Sequence, residues 1–559
     1  MTQQDDLKAG HGRAGRHPSR EDLDKGFRER LDRNDFPGMF GRMFDLYPAE
    51  FSDDALFELA EQMKDPDPAS RDGNNPDIPA GFTYLGQFID HDITLDLTSI
   101  GEKEADPHAT QNFRTPALDL DAIYGLGPDG SRALYARDPA HFETNPPRFA
   151  GKQPGPKFEI GVTIGGGPGD IEDVFPNDLP RSPGGFAIIG DHRNDENLVV
   201  AQTHLALLKF HNKVCDQIVS GDIDLGGGKK GKDLSPADVF KEARRIVTWH
   251  YQHMVLYDFV ERVSGKGIVD RILHDGRKFY RFKRSPFMPV EFSAAAYRFG
   301  HSMVREAYSH NRVFTGGGPG GIARLEQLFQ FTGLSGIIIG TMAATQQGFV
   351  LPTFPSNWII DWRRYHEVLD NNPQGVPLNA TRTIDPFLVP ALHTLPGEEK
   401  REANLAFRNL RRGRMLGLPS GQDIAGIMGI RNPVSDDQIV SGEDGKVAER
   451  HGMHKNTPLW YYILKEAEQL HKGKQLGPVG GTIVAEVFVG LVHGDRASFL
   501  WQKGKTWKPQ LPCKEEGRFT MGDLLRYVDD INPLGDAPAV APATATKASK
   551  KKDVAGAGT

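Results

Sequence analysis

Two cysteines in 559 residues, Cys215 and Cys513, exclude a disulfide-stapled fold and the clustered thiolates of a zinc or iron–sulfur site. Neither charge dominates. Lys and Arg number 67 against 74 Asp and Glu, which leaves no electrostatic footprint for nucleic acid or an anionic membrane. Long apolar runs are missing as well: the stretch from Gly477 to Val492 is short for a bilayer span and carries Glu486, so it is expected to be a buried helix rather than a membrane span. Met1 to Arg30 holds no apolar segment of the secretory type, which points to the cytoplasm or to export by a leaderless route. Alternating β patterns are scarce, and no period of about 20–50 residues marks a repeat array.

What is present is an ordinary globular composition, 38% hydrophobic and 25% charged, with helical periodicity as its commonest signal. Leu198, Ala201, Leu205, Leu208 and Cys215 form one apolar stripe within Glu196 to Ile218. A second run spans Ser235 to Val263, with Ser235 placed as the cap. Gly- and Pro-rich stretches at 163–168, 226–231, 316–321 and 417–421 read as loops between helices. The expected fold class is therefore mainly α, with few short strands. A single large helical domain is expected over 26–534, between a flexible segment, 1–25, and a disordered Ala/Pro/Lys tail, 535–559.

Several short stretches concentrate chemistry. With ~100° per residue, a helix through 81–94 gathers Gln87, Asp90, His91 and Thr94 on one face and Phe82, Leu85, Ile89 and Ile93 on the other, while Asp92 leaves the polar face. Such a face is either solvated or, if buried, a reaction pocket. Between Asn112 and Gly125 an extended loop would point Thr115, Asp119 and Asp121 the same way, as hard oxygen ligands suited to Ca²⁺; Ile123 and Tyr124 exclude an EF-hand. Arg193 and Glu196 stand three apart at the head of a helix. Small residues and Gly300 surround His301 and leave room for a flat ligand. Asn409 is the one amide in a basic run, Phe407 to Pro419, whose cations can face anionic groups. Gly226 to Lys232 mimics a phosphate loop, but Asp233 replaces the Ser or Thr that Mg²⁺ needs. The pairs His250/His253 and His451/His454 lack accompanying ligands and read as packing or surface residues.

In order along the chain, QFIDHD (87–92), TPALDLDAIYG (115–125), GDHRNDE (190–196), YRFGHSM (297–303) and RNLRRGRMLGLP (408–419) resemble the successive motifs of the animal-type haem peroxidases, the peroxidase–cyclooxygenase superfamily. LGPVGGTIVAEVFVGLV is similar to that family's last core helix. The whole looks like a bacterial member.

The resemblance implies a haem peroxidase that reduces H₂O₂ through an oxyferryl intermediate and oxidises halides, thiocyanate or small phenolic donors, as in a response to oxidative stress. It makes His91 the distal base, Arg193 its partner stabilising charge on the leaving oxygen, and Gln87 the distal amide. His301 becomes the haem iron ligand with Asn409 accepting its other N–H. Asp90 and Glu196 become the carboxylates esterified to haem b, and Arg298 and Arg412 further cofactor-binding cations. Asp92, Thr115, the Ala117 carbonyl, Asp119 and Asp121 become the Ca²⁺ shell, so that calcium loss should loosen the distal pocket. Asn197 after Glu196 removes the methionine linkage of the mammalian myeloid enzyme, which favours bromide, iodide, thiocyanate or phenols over chloride. Cyclooxygenases carry a radical-forming Tyr three residues before the proximal His; Arg298 stands there, and Tyr297 is expected to face another side of the helix. A fatty-acid dioxygenase and a non-catalytic haem or adhesion module are the competing expectations. The oligomeric state is left open.

Overall fold

Several of the helix-forming stripes open on a side-chain cap. In the computed structural model, which describes residues 40–94, 112, 114–137, 154–166, 169, 171–282, 285–330, 332, 353–395, 400–502 and 507–536, α1 (Asp53–Gln62) opens on Ser52, whose hydroxyl accepts from Ala55 N. Helix α2 (Gly81–Ile93) follows a short strand. Asn197 caps α3 (Leu198–Ser220) by accepting from Val200 N at 2.9 Å. Ser235 caps α4 (Pro236–Met254) as expected; each such cap satisfies an amide the helix leaves orphaned. The stripe beyond α4 does not stay α-helical: Val255–Val260 is a π turn before the helix resumes over Glu261–Ser264. Later come α5 (Leu405–Met415), α6 (Leu459–His471), α7 (Pro478–Gly494) and α8 (Met521–Val528). The expected segment 1–25 and the tail from 537 onward lie outside the described residues.

Strands are few and occur, among the described residues, in two-stranded pairs. Phe40–Gly41 (β1) runs parallel to Met288–Pro289, and Asn74–Pro79 (β2) antiparallel to Ala380–Arg382. Tyr135–Arg137 pairs with Pro154–Phe158, and Ala307–Tyr308 with Ala323–Arg324. The fold is mainly helical, as expected.

Helix α3 lies at the centre, packed by α2, α4 and α8. Helix α2 approaches the chain at 365–366 so closely that a Cβ on Gly81 would lie 2.5 Å from Tyr365 O, which is why glycine begins this helix. The apolar run at 478–494 is a buried helix, and no helix among the described residues is long and apolar enough to cross a membrane. Its one carboxylate is used: Glu486 accepts from Lys278 N at 2.7 Å, Phe279 N at 2.7 Å and Tyr280 N at 2.8 Å, fixing that loop to α7. Phe488 on α7 meets the Tyr297 ring at 5.2 Å, so α7 supports the segment that carries His301. Replacing Glu486 by Ala orphans three amides and should cost about 3 kcal/mol. Urea unfolding measures it; a loss below roughly 0.5 kcal/mol would leave the carboxylate without this role.

Candidate active site

The polar face of α2 turns inward: His91 and Thr94 are buried, and Gln87 and Asp90 are half-buried. His91 is 5% exposed and its ring is fixed by a relay of side chains. Asn194 Oδ1 lies 2.9 Å from His91 Nδ1, and the same amide's nitrogen lies 3.0 Å from Nδ1 of His204. Burial lowers His204 to about 3, so it is a neutral acceptor that turns the Asn194 oxygen toward His91. His91 therefore carries its proton on Nδ1 and presents the Nε2 lone pair, 3.6 Å from Glu196 Oε1. Gln87 donates to that same Glu196 oxygen and accepts from Asn197 Nδ2 at 2.8 Å.

Across from α2, the short 3₁₀ helix Ala296–His301 carries the second imidazole. Burial lowers His301 to about 3, with Arg298 and Arg408 acting in the same sense. Asn409 of α5 meets His301 Nδ1 at 2.9 Å with its amide nitrogen, while Arg298 Nη1 donates to the Asn409 oxygen at 2.8 Å. Asn409 was expected to accept from the imidazole; here the guanidinium takes the oxygen, and the amide donates instead.

His91 and His301 line one cavity of about 500 Å³. Gln87, Asp90, Glu196, Asn197, Arg298 and Arg408 add its polar wall, and Leu325, Phe329, Leu392 and Leu405 part of its apolar wall. Above Gly300, which also lines it, a Cβ would meet nothing within 4 Å. Two imidazoles, apolar walls, cations and open space over a glycine fit a flat, carboxylate-bearing macrocycle with a metal at its centre. Phe259 of the π turn lines the same space, in keeping with the frequent use of such turns at functional sites.

Two expected cations are elsewhere. Arg193 is not among the lining residues. Its Nε and Nη2 donate to Asp191, and Nη2 also reaches the carbonyl oxygens of His91 at 2.9 Å and Thr94 at 2.6 Å. Asp191, two residues away, captures the guanidinium; Arg193 then braces the end of α2 and aims His91 through the backbone instead of reaching into the cavity. Arg412 of α5 does not line the cavity either, whereas Arg408, one turn earlier on α5, does. Tyr297 departs in the other direction. It lines the cavity beside His301 and donates to Gly86 O of α2 at 3.0 Å, because the cavity wraps the turn on which both residues sit.

The acidic loop is not extended. Leu120 adopts φ 59°, and Asp121 begins a helical turn, Asp121–Tyr124; a positive φ at leucine is strained. That bend turns Leu120 N and Ala122 N onto the Asp92 carboxylate, at 3.3 and 3.4 Å. Thr115 Oγ1 donates to Asp121 at 3.3 Å, and Arg244 lies 3.7 Å from the other Asp121 oxygen. Burial, then the charge of Asp121, pushes Asp92 up to about 7 and Asp119 well above the carboxylate range. Among the described residues no three His, Cys, Asp or Glu side chains form a ready-made metal cage. The donor types of the loop, carboxylate, hydroxyl and carbonyl oxygens, are nevertheless those a hard cation takes.

The histidine pairs set aside above have ordinary partners: His250 Nδ1 meets Ile246 O at 2.7 Å and His451 Nε2 meets Glu58 at 2.6 Å.

Residues 96–512 match the family model described as animal haem peroxidase. The chain belongs to this family. The matched span holds Glu196, His301 and Asn409 and begins just after the helix that carries His91. A peroxidase-like protein of Margaritifera margaritifera is 26% identical over 281 residues, 43% of this chain and 33% of that protein. The chain spans well under half the length of the first curated relatives it matches, 39% and 24% for two Caenorhabditis elegans proteins, heme peroxidase 2 and peroxidasin homolog pxn-2. Among solved structures, peroxidase A from Dictyostelium discoideum superposes with a TM-score of 0.56 at 15% identity, covering 89% of this chain and 94% of that one. The fatty acid alpha-dioxygenase of Oryza sativa gives 0.53 at 14%, covering 94% and 86%. These superpositions establish a shared helical fold, and membership of the animal haem peroxidase family implies haem as the group that the cavity between His91 and His301 would receive.

Asn194 and Arg408 lie within the motifs but had no expected task. The signal for Asn194 was its place beside Arg193, and for Arg408 its place one residue before Asn409.

Proposed function

We propose that the chain is a calcium-binding haem peroxidase that reduces H₂O₂ and oxidises a halide, thiocyanate or a small phenolic donor. One observation carries the reading: two imidazoles, each tied at Nδ1 to an asparagine, line one cavity from opposite elements. Haem would supply an iron that binds peroxide and takes up its oxidising equivalents. His301 would ligate that iron through Nε2, which requires its proton on Nδ1 and the Asn409 amide turned so that its oxygen accepts that proton; Arg298 and Arg408 would meet the haem carboxylates, and Asp90 and Glu196 would be the carboxyls esterified to the ring. His91 Nε2 removes a proton from one peroxide oxygen and returns it to the other, a transfer suited to a neutral imidazole. Gln87, held between Glu196 and Asn197, orders the small ligand beside that base. Arg193 works through the backbone, as a positioning residue. The peroxidase domain spans 26–534.

Calcium bound by Asp92, Thr115, the Ala117 carbonyl, Asp119 and Asp121 would neutralise the loop and fix the backbone next to His91. Chelation with EGTA should lower the melting temperature by about 1–2 °C, the shift that about 1–2 kcal/mol produces in a chain of this size, and slow the peroxide reaction. Unchanged melting and rate would remove calcium from the proposal.

The deciding experiment is an absorption spectrum of the haem-loaded protein before and after stoichiometric H₂O₂, followed by return of the spectrum on adding bromide, iodide, thiocyanate or a phenol. A spectrum that peroxide does not move overturns the reading. Acid–acetone extraction after turnover should leave haem on the chain if the esters form.

A fatty-acid dioxygenase is the second reading, favoured by Tyr297, which lines the cavity beside His301. It requires lipid-dependent O₂ uptake that Tyr297→Phe abolishes.

A further inference from the structure

We infer that Tyr365 and His310 form a one-electron redox site, connected to the cavity through Tyr84 and Tyr308, that stores an oxidising equivalent as a tyrosyl radical. The inference rests on the peroxidase reading, because it takes its oxidant from haem oxidised by H₂O₂.

The path is continuous. Tyr84 lines the cavity, and its hydroxyl donates to Tyr308 Oη at 2.8 Å. Their rings are 5.9 Å apart, and Tyr308 stacks on Tyr365 at 5.9 Å with 17° between the planes. Tyr84, Tyr308 and Tyr365 are all 3% exposed or less, so the route runs through protein, not water.

The end of the path differs from its beginning in one respect, a base. Removing an electron from a phenol makes its O–H strongly acidic, and the radical persists only where the proton has a place to go. Burial pushes all three phenols up, which closes the alternative of starting from phenolate. Tyr365 Oη lies 2.9 Å from His310 Nδ1, and His310 Nε2 lies 2.8 Å from Trp358 O. A carbonyl can only accept, so Nε2 carries the proton and Nδ1 the lone pair that receives the Tyr365 hydroxyl. Burial lowers His310 to about 4, so this imidazole is neutral and able to accept. Tyr84 donates only to another phenol, which also accepts from Arg305 N at 2.9 Å. Tyr297 lines the cavity too, but it donates to the carbonyl of Gly86, which cannot take a proton. Of these phenols, Tyr365 is the one hydrogen-bonded to a base.

The step balances. Tyr365 gives up one electron through Tyr308 and Tyr84 to the oxidised haem, which is reduced by one. Its O–H bond breaks as a bond from the proton to His310 Nδ1 forms, leaving a neutral phenoxyl radical beside an imidazolium. The carboxylate of Asp361 favours that cation and Arg364 opposes it. An electron from a donor reverses both transfers.

The test uses the haem-loaded protein mixed with stoichiometric H₂O₂ without donor, followed by optical absorption and by freeze-quench electron paramagnetic resonance. The expected result is an organic radical whose hyperfine pattern narrows when the tyrosines are ring-deuterated, with a coupling to one exchangeable proton that is lost in D₂O. The signal should disappear in Tyr365→Phe and decay faster in His310→Gln. A radical that survives Tyr365→Phe unchanged, or that is lost in Tyr297→Phe instead, overturns the assignment. Should either variant fail to fold, a wild-type radical without the exchangeable coupling overturns it equally. If peroxide leaves the optical spectrum unmoved, the peroxidase reading falls and this site with it; if the spectrum moves and no tyrosyl radical forms, only the redox site falls.

Discussion

Replacing His91 by Ala is expected to slow the reaction of the haem-loaded protein with H₂O₂ by roughly 10²–10⁴-fold, the contribution of a positioned acid–base group, while leaving haem content unchanged. The size follows from how much of the local structure is devoted to this ring. Asn194 holds the His91 proton on Nδ1, the neutral His204 holds Asn194 in that orientation, and Arg193 clasps the carbonyls of His91 and Thr94. All three act to present one lone pair to the cavity. Haem retention is expected to rest on His301, Arg298, Arg408 and Asn409 and on the carboxyls of Asp90 and Glu196, all of which the substitution leaves in place. Stopped-flow absorption with excess peroxide measures the rate, and the haem-to-protein absorbance ratio checks retention. Asn194→Ala should fall between wild type and His91→Ala, since it frees the tautomer without removing the base. A His91→Ala variant reacting at the wild-type rate would assign the proton transfer to another group.

Much of this arrangement was legible in the sequence, and the residues that were not legible share physical reasons. The two faces of α2, the cap at Ser235 and the buried run of α7 are local properties, set by periodicity and by one hydroxyl within three residues of an orphan amide. The short strand pairs are not local: Phe40–Gly41 meets Met288–Pro289 and Asn74–Pro79 meets Ala380–Arg382, each too brief to leave an alternating pattern. Gln87, Asp90, His91, Glu196, Arg298 and His301 do line one cavity, and they were legible because the motifs resemble those of a family whose fold brings such segments together. Side-chain direction is a different matter. Asp191 is near enough in sequence to compete for the Arg193 guanidinium, and a motif does not say which acceptor prevails. Leu120 lies between two aspartates that looked like alternating ligands, yet its positive φ breaks the alternation and delivers two amides to Asp92. The orientation of Asn409 depends on Arg298, more than a hundred residues away, and no local rule predicts it.

Buried imidazoles should draw stability from the folded chain below pH 6.5, because burial keeps them neutral. Burial lowers His204, His250 and His366 to about 3 and His211, His253 and His310 to about 4; His301 is set aside as the proposed iron ligand. A histidine whose folded pKa is depressed binds its proton in the unfolded chain first. Between the unfolded value near 6.5 and the folded values of 3–4, the unfolded state therefore holds more protons, and stability rises with pH and falls as pH falls. Each such group contributes at most about 1.4 kcal/mol per pH unit in that window. Asp385 and Glu466 act in the opposite sense: burial pushes both up to about 7, so the folded state holds their protons first and gains stability as pH drops from 7 toward 4. Asp92, also pushed up to about 7, and Asp119, pushed well above the carboxylate range, act with them, and burial raises Asp258, Glu261 and Glu291 in the same sense, so the two sets oppose each other and a single-site comparison isolates the imidazole part. His366 offers a single-site check. It is buried, and among the described residues neither ring nitrogen has a hydrogen-bond partner. His366→Leu keeps the volume nearly constant and removes one titrating group, so its unfolding free energy should lose about one proton's worth of slope, about 1.4 kcal/mol per pH unit between pH 6 and 4. Urea unfolding of both proteins across that range measures the difference. Parallel curves would mean that His366 is already protonated in the folded state, and a wild-type stability maximum near pH 5 would mean that the carboxyls, not the imidazoles, govern the acid response.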